Sequence, residues 1–129
     1  MKPGAQETGP ALSGLRILVV EDEMLIMMML KDILVELGTT VTTAARLAKA
    51  TLLAEQEPFD AAILDVNVAG ETVYPVAQIL KRRNIPFILS TGYGEGTLPS
   101  EFRDCPILSK PYLAESIKEA LTRAPMHRA

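Results

Sequence analysis

Three acidic side chains follow an apolar run near the start of the chain, in RILVVEDEML over residues 16–25. The run RILVV is typical of a buried β-strand, so Glu21, Asp22 and Glu23 concentrate negative charge where the chain would turn. Two carboxylates about 4 Å apart repel each other by roughly 4 kcal/mol at an effective dielectric constant of 20. Mg²⁺ relieves such repulsion, because it binds carboxylate oxygens and also accepts phosphate oxygens. The acids therefore predict a magnesium site.

Further polar residues fall at the ends of later apolar runs. Asp65 closes DAAILD, Thr91 closes PFILST, and Lys110 stands just beyond PILS. A nucleotide or flavin site is disfavoured, since such sites place glycines or hydroxyls after the first strand, where Glu21 and Asp22 would repel phosphate. A phosphate group could bind beside these acids only if a metal neutralised their charge and Lys110 supplied further positive charge. The set predicts a site that receives a phosphoryl group at a carboxylate, with Asp65 at its centre.

The elements that would position these residues are short apolar runs alternating with helical patterns from about Leu15 onwards. We predict five strands and at least four helices. Runs that are apolar throughout, such as ILVV and AAIL, indicate strands covered on both faces, and the helices between them imply right-handed parallel crossovers. The predicted fold is α/β, with a doubly wound five-stranded parallel sheet and a short or irregular fourth helix between Thr91 and Cys105. Ligands of such sheets bind beyond the carboxyl ends of the strands.

Length and composition fit one globular domain of moderate charge. The chain has 129 residues, of which 48% are hydrophobic, and a net charge of -3. We predict a flexible leader over residues 1–14, the domain over residues 15–123 and a tail over residues 124–129. A negative net charge of this size produces no electrostatic attraction to nucleic acid or to an anionic membrane. Since no apolar run approaches the roughly 18 residues that span a bilayer, and no signal sequence opens the chain, we expect a soluble, cytoplasmic protein.

The sequence resembles the receiver domains of two-component response regulators. The resemblance covers residues 15–121 and rests on VVED, ILDV, ILST followed by Gly92, and LSKP, in that order and spacing. It implies a flavodoxin-like fold with the phospho-acceptor at Asp65. Asp22 would be a direct Mg²⁺ ligand, and Glu21 a second acid acting partly through water.

The same resemblance implies roles for three further residues. Asn67 would offer its backbone carbonyl to the metal. Thr91 would bond the phosphoryl oxygens and move towards them, while Lys110 would contact the phosphoryl group directly.

Within the family, LDVNVAGE and STGYGEG are similar to the alphaproteobacterial single-domain regulators with a Phe-Ala-Thr-Gly signature after the fourth strand. The chain departs from that signature at Leu89 and Ser90. It also departs from the many receivers that carry an aromatic switch three residues before the lysine, because Ile107 stands there. Tyr93 is a candidate replacement, and an ordinary loop tyrosine is the alternative.

The first predicted helix is apolar over most of its surface. Four residues at helical spacing would form its buried stripe: Ile26, Leu30, Ile33 and Leu37. Met24, Met28 and Val35 would then lie towards the exposed side. The resemblance implies that this helix docks the phosphohistidine donor; packing in the core is the alternative.

These observations together predict a stand-alone response regulator. It would accept a phosphoryl group on Asp65 from a sensor histidine kinase or a histidine phosphotransferase, with Mg²⁺, and switch a partner-binding surface in phosphorelay signal transduction. Alternatively, the protein would pass the phosphoryl group on to another protein, or remove it from a kinase without producing an output of its own. We expect the protein to catalyse no reaction other than its own phosphorylation and slow dephosphorylation. We also expect it to bind neither nucleic acid nor membranes. Formation of a homodimer is left open.

Two other classes remain as alternatives. A small Mg²⁺-dependent phosphohydrolase would share the aspartyl chemistry, but it would carry a second acid where Asn67 stands. An unphosphorylated interaction module would be expected to lack one pocket residue, and none is missing in the sequence.

Overall fold

The computed structural model describes residues 12–92, 98–109 and 112–123. Its strands are β1 (Arg16–Val20), β2 (Thr40–Ala44), β3 (Ala61–Asp65), β4 (Asn67–Val68), β5 (Glu71–Thr72), β6 (Phe87–Thr91) and β7 (Ile107–Ser109). Its helices are α1 (Met24–Glu36), α2 (Leu47–Gln56), α3 (Tyr74–Arg82) and α4 (Ala114–Arg123), and a 3₁₀ helix spans Ser100–Phe102. None of the described helices combines the length and the apolar character needed to cross a membrane.

The main sheet of the described chain has five parallel strands in the order β2-β1-β3-β6-β7, with β3 at its centre. The strand order reverses direction after β1, as expected for a doubly wound sheet with helices on both faces. The predicted architecture is therefore confirmed. Because the strands are parallel, their carboxyl ends lie at one edge, where β1 and β3 are neighbours.

Two apolar clusters cover the two faces of this sheet, and successive strand residues alternate between them. Leu18 and Val20 of β1 join a cluster with α2 and α3. Ile17 and Val19 join a second cluster with α1 and α4. This double covering explains why the strand sequences are apolar at nearly every position.

Helix α1 packs mainly through Leu30 and Leu34, which are both buried. The predicted stripe contained Leu30 but omitted Leu34, and its other members are only half-buried: Ile26, Ile33 and Leu37. These three side chains pack against the same apolar cluster as Leu30, so the predicted stripe faces the sheet, and Leu34 is an additional buried member. The opposite side is exposed, as predicted.

In the described part of the segment between β6 and β7, residues 98–106, the chain forms one short 3₁₀ helix, in agreement with the predicted short or irregular fourth helix. Phe102 anchors it, being fully buried. Its ring stacks on Tyr74 with centroids 5.2 Å apart and meets the edge of Phe87 at 6.0 Å. One turn of helix is therefore held by aromatic packing against α3 and β6. Residues 93–97 lie outside the described residues.

The described chain is already packed at Leu12, three residues before the predicted start of the domain. Leu12 is buried in the cluster on the α1 and α4 side. The backbone N–H of Gly14 donates to the carbonyl of Gly38 at 2.8 Å. The remainder of the predicted leader and the whole predicted tail fall outside the described residues.

At the opposite edge from the acids, Arg16 and Asp60 join the starts of β1 and β3. The guanidinium donates to both carboxylate oxygens, at 3.1 and 3.2 Å, and the backbone N–H of Arg16 donates at 2.8 Å. The side-chain hydrogen bond from Arg16, assisted by the backbone bond and the opposite charge, holds the pKa of Asp60 below its ordinary value despite partial burial. The bond therefore favours the charged carboxylate in the folded state.

Because the pKa of Asp60 is lowered on folding, its stabilising contribution is present above the unfolded pKa of about 3.9 and is lost as the pH falls through the folded pKa. We expect Asp60→Asn to lower the urea midpoint of unfolding at pH 7, and the difference from wild type to shrink below about pH 4. Asp32→Asn, an exposed acid without an ion pair among the described residues, is the control. An equal difference at pH 7 and pH 3 would contradict this expectation.

Candidate functional site

Three carboxylates meet at the carboxyl edge of the sheet. Glu21 and Asp22 directly follow β1, and Asp65 ends β3, which pairs with β1 up to Val20 and Leu64. One oxygen from each of the three carboxylates lies within 4.8 Å of the others. Glu21 and Asp65 are only 1% and 4% exposed, whereas Asp22 is exposed. The parallel register thus brings Asp65 next to two acids that are distant from it in the chain.

Each of these carboxylates accepts a hydrogen bond from a backbone N–H. Glu23 donates to Glu21 Oε2 at 3.1 Å, and Asn67 donates to Asp65 Oδ1 at 3.2 Å. The N–H of Ala69 donates to Asp22 Oδ2 at 3.0 Å. These donors orient the carboxylates and place partial positive charge beside them, so they offset part of the repulsion within the cluster.

The contact with Asp22 comes from a small hairpin that the sequence pattern did not predict. Strands β4 and β5 pair antiparallel around the two residues Ala69 and Gly70, whose φ angles are 52° and 87°. Positive φ at both central residues is the pattern of a type I′ turn, which favours Asn or Gly at the first position. Because Ala69 occupies this first position, the sequence pattern does not indicate the turn. The side-chain oxygen of Asn67 accepts the N–H of Gly70 at 3.1 Å and closes the turn.

Of the two other residues predicted to contact the phosphoryl group, Thr91 lies within the described residues and Lys110 does not. Thr91 ends β6 at the same edge and is half-exposed; its neighbour Ser90 pairs with Asp65. Thr91 itself pairs with Ser109, the residue before Lys110 in the chain. Lys110 lies outside the described residues.

Of the two positions considered for an aromatic switch, one lies within the described residues and the other lies outside them. Tyr93 lies outside the described residues, so its proposed role stays a prediction. Ile107 begins β7 with an exposed side chain.

The donor set of the cluster fits a hard divalent cation. All three groups are carboxylates, and oxygen-only ligands suit Mg²⁺, whereas a zinc or iron site would draw on sulfur or imidazole. Two of the acids are buried, so their mutual repulsion is weakly screened by water. A bound cation would remove this repulsion, which is an independent physical reason for metal binding here.

Comparison with known proteins defines the class. The chain matches the family model of the response regulator receiver domain over residues 17–122 and belongs to this family. The prediction from the sequence motifs is therefore confirmed. Receiver domains are signalling domains that receive phosphoryl groups from histidine kinases.

Three individual proteins illustrate the similarity. The solution structure of SdrG from Sphingomonas melonis Fr1 is 45% identical, with a TM-score of 0.76, and the match covers 84% of this chain and 93% of SdrG. This coverage agrees with the predicted similarity to single-domain regulators. The receiver domain of the sensor histidine kinase PA1611 from Pseudomonas aeruginosa PAO1 is 25% identical, with a TM-score of 0.72 over 86% of this chain and 97% of that one. That structure has a magnesium ion coordinated in its active-site cleft.

The third is the transcriptional regulatory protein TcrA from Mycobacterium tuberculosis, which is 36% identical over 88 residues. The match covers 67% of this chain but only 35% of TcrA. This chain thus spans about a third of the length of that curated relative.

The crowded acids lead to a prediction about stability. Each close pair of charges repels by about 3 kcal/mol at an effective dielectric constant of 20, so Asp65→Asn should raise the urea midpoint of the metal-free protein. Mg²⁺ should raise the midpoint of wild type in a concentration-dependent manner, because it binds only the folded cluster, and should raise that of Asp65→Asn less. Asp104→Asn, an exposed acid outside the cluster, should respond to Mg²⁺ like wild type. A wild-type midpoint that does not change with Mg²⁺ would exclude a metal site here.

Proposed function

We propose that this receiver domain accepts a phosphoryl group on Asp65 in the presence of Mg²⁺, and that its donor is a sensor histidine kinase or a histidine phosphotransferase. The observation that carries the proposal is the position of Asp65. It ends the central strand, is nearly buried, and lies within 4.8 Å of the carboxylate oxygens of Glu21 and Asp22. Membership of the receiver family supports the same assignment.

In the proposed reaction a carboxylate oxygen of Asp65 attacks the phosphorus atom of the donor. An O–P bond forms, the P–N bond to the donor histidine breaks, and the imidazole nitrogen keeps the electron pair of that bond. The backbone N–H of Asn67, which donates to Asp65 Oδ1, holds the carboxylate in a defined orientation. Such orientation lowers the entropic part of the barrier.

The residues proposed to hold the metal are Asp22, Asp65 and the backbone carbonyl of Asn67, with Glu21 acting partly through water. When bound, Mg²⁺ supplies positive charge that offsets the carboxylates and the phosphoryl oxygens. The magnesium ion in the active-site cleft of the PA1611 receiver domain supports this assignment. Thr91 would donate to a phosphoryl oxygen, and Lys110 would add a positive charge beside it.

The proposed readout is a change of surface at the carboxyl edge of the sheet. Phosphorylation adds negative charge at Asp65, and Thr91 would move towards it. The loop from Gly92 to Asp104 would then rearrange between two populated states. Phe102 anchors the far end of this loop in the aromatic cluster, so the rearrangement should be largest near Thr91. A protein partner in the cytoplasm would read the change.

The phosphorylation proposal is tested by intact-mass spectrometry after incubation with acetyl phosphate and Mg²⁺. We expect one phosphoryl adduct on wild type, none on Asp65→Asn, and none when EDTA removes the metal. Asp104→Asn, which makes the same chemical change outside the cluster, should be phosphorylated like wild type.

Two results would contradict the proposal. A wild type that binds Mg²⁺ but gains no adduct would indicate an unphosphorylated interaction module. Continuous turnover of p-nitrophenyl phosphate would indicate a phosphohydrolase, because a receiver should show only slow loss of its own phosphate.

Helix α1 offers the proposed docking surface for the phosphohistidine donor. Apolar side chains on its outer side are exposed to solvent: Met24 (68%), Leu25 (80%), Met28 (52%) and Val35 (52%). The helix begins two residues after Asp22, so this surface adjoins the acidic cluster. Flexible methionine side chains suit contacts with another protein. A donor helix packed here would bring its histidine to the edge where Asp65 lies.

We therefore expect Met28→Glu to lower the kcat/KM for phosphotransfer from a phosphorylated histidine phosphotransferase by about tenfold, because a charge would be buried at the interface. The rate with acetyl phosphate should not change, since that donor needs no docking surface. Leu52→Glu places the same charge at an equally exposed apolar residue on α2 and is the matched control. Equal losses in the two variants, or a loss with acetyl phosphate, would contradict docking on α1.

A further inference from the structure

The β4–β5 hairpin beside the acidic cluster contains an alanine in an unfavourable backbone conformation. Ala69 has a φ angle of 52°, and its side chain is exposed. This left-handed region is disfavoured for residues that carry a Cβ atom and is adopted mainly by glycine and asparagine. Strained residues persist where the surrounding structure fixes them, and they concentrate at functional sites. The conformation of Ala69 therefore raises the question of what the hairpin contributes to the neighbouring acids.

Two backbone N–H groups of the hairpin donate to two of the three acids. The N–H of Asn67 donates to Asp65 Oδ1 at 3.2 Å, and the N–H of Ala69 donates to Asp22 Oδ2 at 3.0 Å. The carbonyl of Asn67, which is the third group proposed to contact the cation directly, lies between these two donors in the chain. All three proposed direct ligands are thus connected to one short piece of backbone.

The hairpin is itself held at its tip, its middle and its base. At the tip, the side-chain oxygen of Asn67 accepts the N–H of Gly70 at 3.1 Å. In the middle, Val68 is fully buried in the apolar cluster on the side of α2 and α3. At the base, the N–H of Val73 donates to the carbonyl of Val66 at 2.9 Å. The two donors therefore have fixed positions relative to each other.

Fixed spacing of oxygen ligands affects Mg²⁺ and Ca²⁺ differently. Mg²⁺ requires nearly octahedral oxygens at about 2.0–2.1 Å, whereas Ca²⁺ accepts about six to eight oxygens at about 2.3–2.6 Å in variable geometry. Carboxylates held at one spacing can suit only one of these ions well, while mobile carboxylates can adapt to either. Groups that hydrogen-bond to metal ligands orient those ligands, and their loss lowers metal affinity.

We propose that the β4–β5 hairpin is a positioning element that makes the acidic cluster selective for Mg²⁺ over Ca²⁺. Its two N–H groups hold Asp22 and Asp65 at a spacing that suits the smaller ion before the ion binds. The left-handed conformation of Ala69 places its N–H against Asp22. Neither donor touches the cation, because both act through the carboxylates. The inference rests on the proposed function, since it concerns the cation of that site.

Two substitutions loosen the hairpin by different routes. Ala69→Val introduces a β-branched side chain, which strongly disfavours a positive φ angle. Asn67→Ala removes the side-chain oxygen that closes the turn and keeps all the backbone groups. Because both side chains are exposed, neither change removes packing from the core.

Two further variants are controls. Ala69→Gly keeps the N–H donor and adopts the positive φ angle without strain, so the hairpin should remain closed. Ala48→Val makes the same side-chain change as Ala69→Val, but at an exposed residue of helix α2.

The test titrates the metal-free proteins with Mg²⁺ and with Ca²⁺ in an isothermal titration calorimeter. We expect the Kd for Mg²⁺ to rise about tenfold in Ala69→Val and in Asn67→Ala. The Kd for Ca²⁺ should change by less than about threefold, because that ion tolerates a looser frame. Ala69→Gly and Ala48→Val should stay within about twofold of wild type for both ions. Urea unfolding in EDTA shows which variants are folded, and Asn67→Ala carries the test if Ala69→Val is not.

Three results would overturn the inference. An equal loss of affinity for both cations in the loosened variants would show that the hairpin supports the site without selecting the ion. Unchanged Mg²⁺ affinity in both loosened variants would show that it does not position the acids. Wild type that binds Ca²⁺ as tightly as Mg²⁺ would show that there is no selectivity to explain.

Formation of the acetyl phosphate adduct on wild type, measured alongside, separates this inference from the proposed function. If wild type binds no Mg²⁺, the proposed metal site and the inference fail together. If wild type gains the adduct and the loosened variants keep its preference for Mg²⁺, the inference alone is wrong. If wild type gains no adduct and the loosened variants lose that preference, the role of the hairpin is supported and the proposed phosphorylation is contradicted.

Discussion

Repulsion between carboxylates at the carboxyl edge of the sheet is the constraint on which the rest of this structure depends. Two of the three acids are almost buried, where water screens their charges weakly. They are held together by the register of β1 and β3 and by the backbone N–H of Glu21, which donates to the carbonyl of Ala44. The fold thus maintains a cluster of acids whose mutual repulsion a bound cation would relieve.

The two-sided core supplies the rigidity that this arrangement needs. Apolar residues alternate between two clusters along every central strand, so small shifts of one strand would disturb packing on both faces. Among the described residues of β1, β3 and β6, the buried polar side chains are Asp65 and Ser90, both near the strand ends that carry the site. Ser90 is one of the two positions at which the chain departs from the Phe-Ala-Thr-Gly signature. The serine hydroxyl found there in place of alanine is hydrogen-bonded to the hydroxyl of Tyr112.

The site and its exposed surroundings have different physical characters. The acids are held by main-chain donors and strand register, whereas the outer side of α1 presents flexible apolar side chains to solvent. A rigid reaction centre beside an adaptable surface suits transfer of a small group between two proteins. The similarity to SdrG extends over most of both chains, whereas the similarity to TcrA covers about a third of TcrA.

The sequence by itself determined the alternation of strands and helices, the parallel sheet and the meeting of Glu21, Asp22 and Asp65, because hydrophobic period and strand ends are local signals and parallel strands share one carboxyl edge. Only the tertiary structure decided the β4–β5 hairpin, since its turn uses Ala69 where an Asn or Gly would have signalled it. The bond between Ser90 and Tyr112 was equally hidden. Its partners are 22 residues apart in the chain, and no local sequence pattern indicates which buried hydroxyl will meet another when a strand and a distant connecting segment pack together.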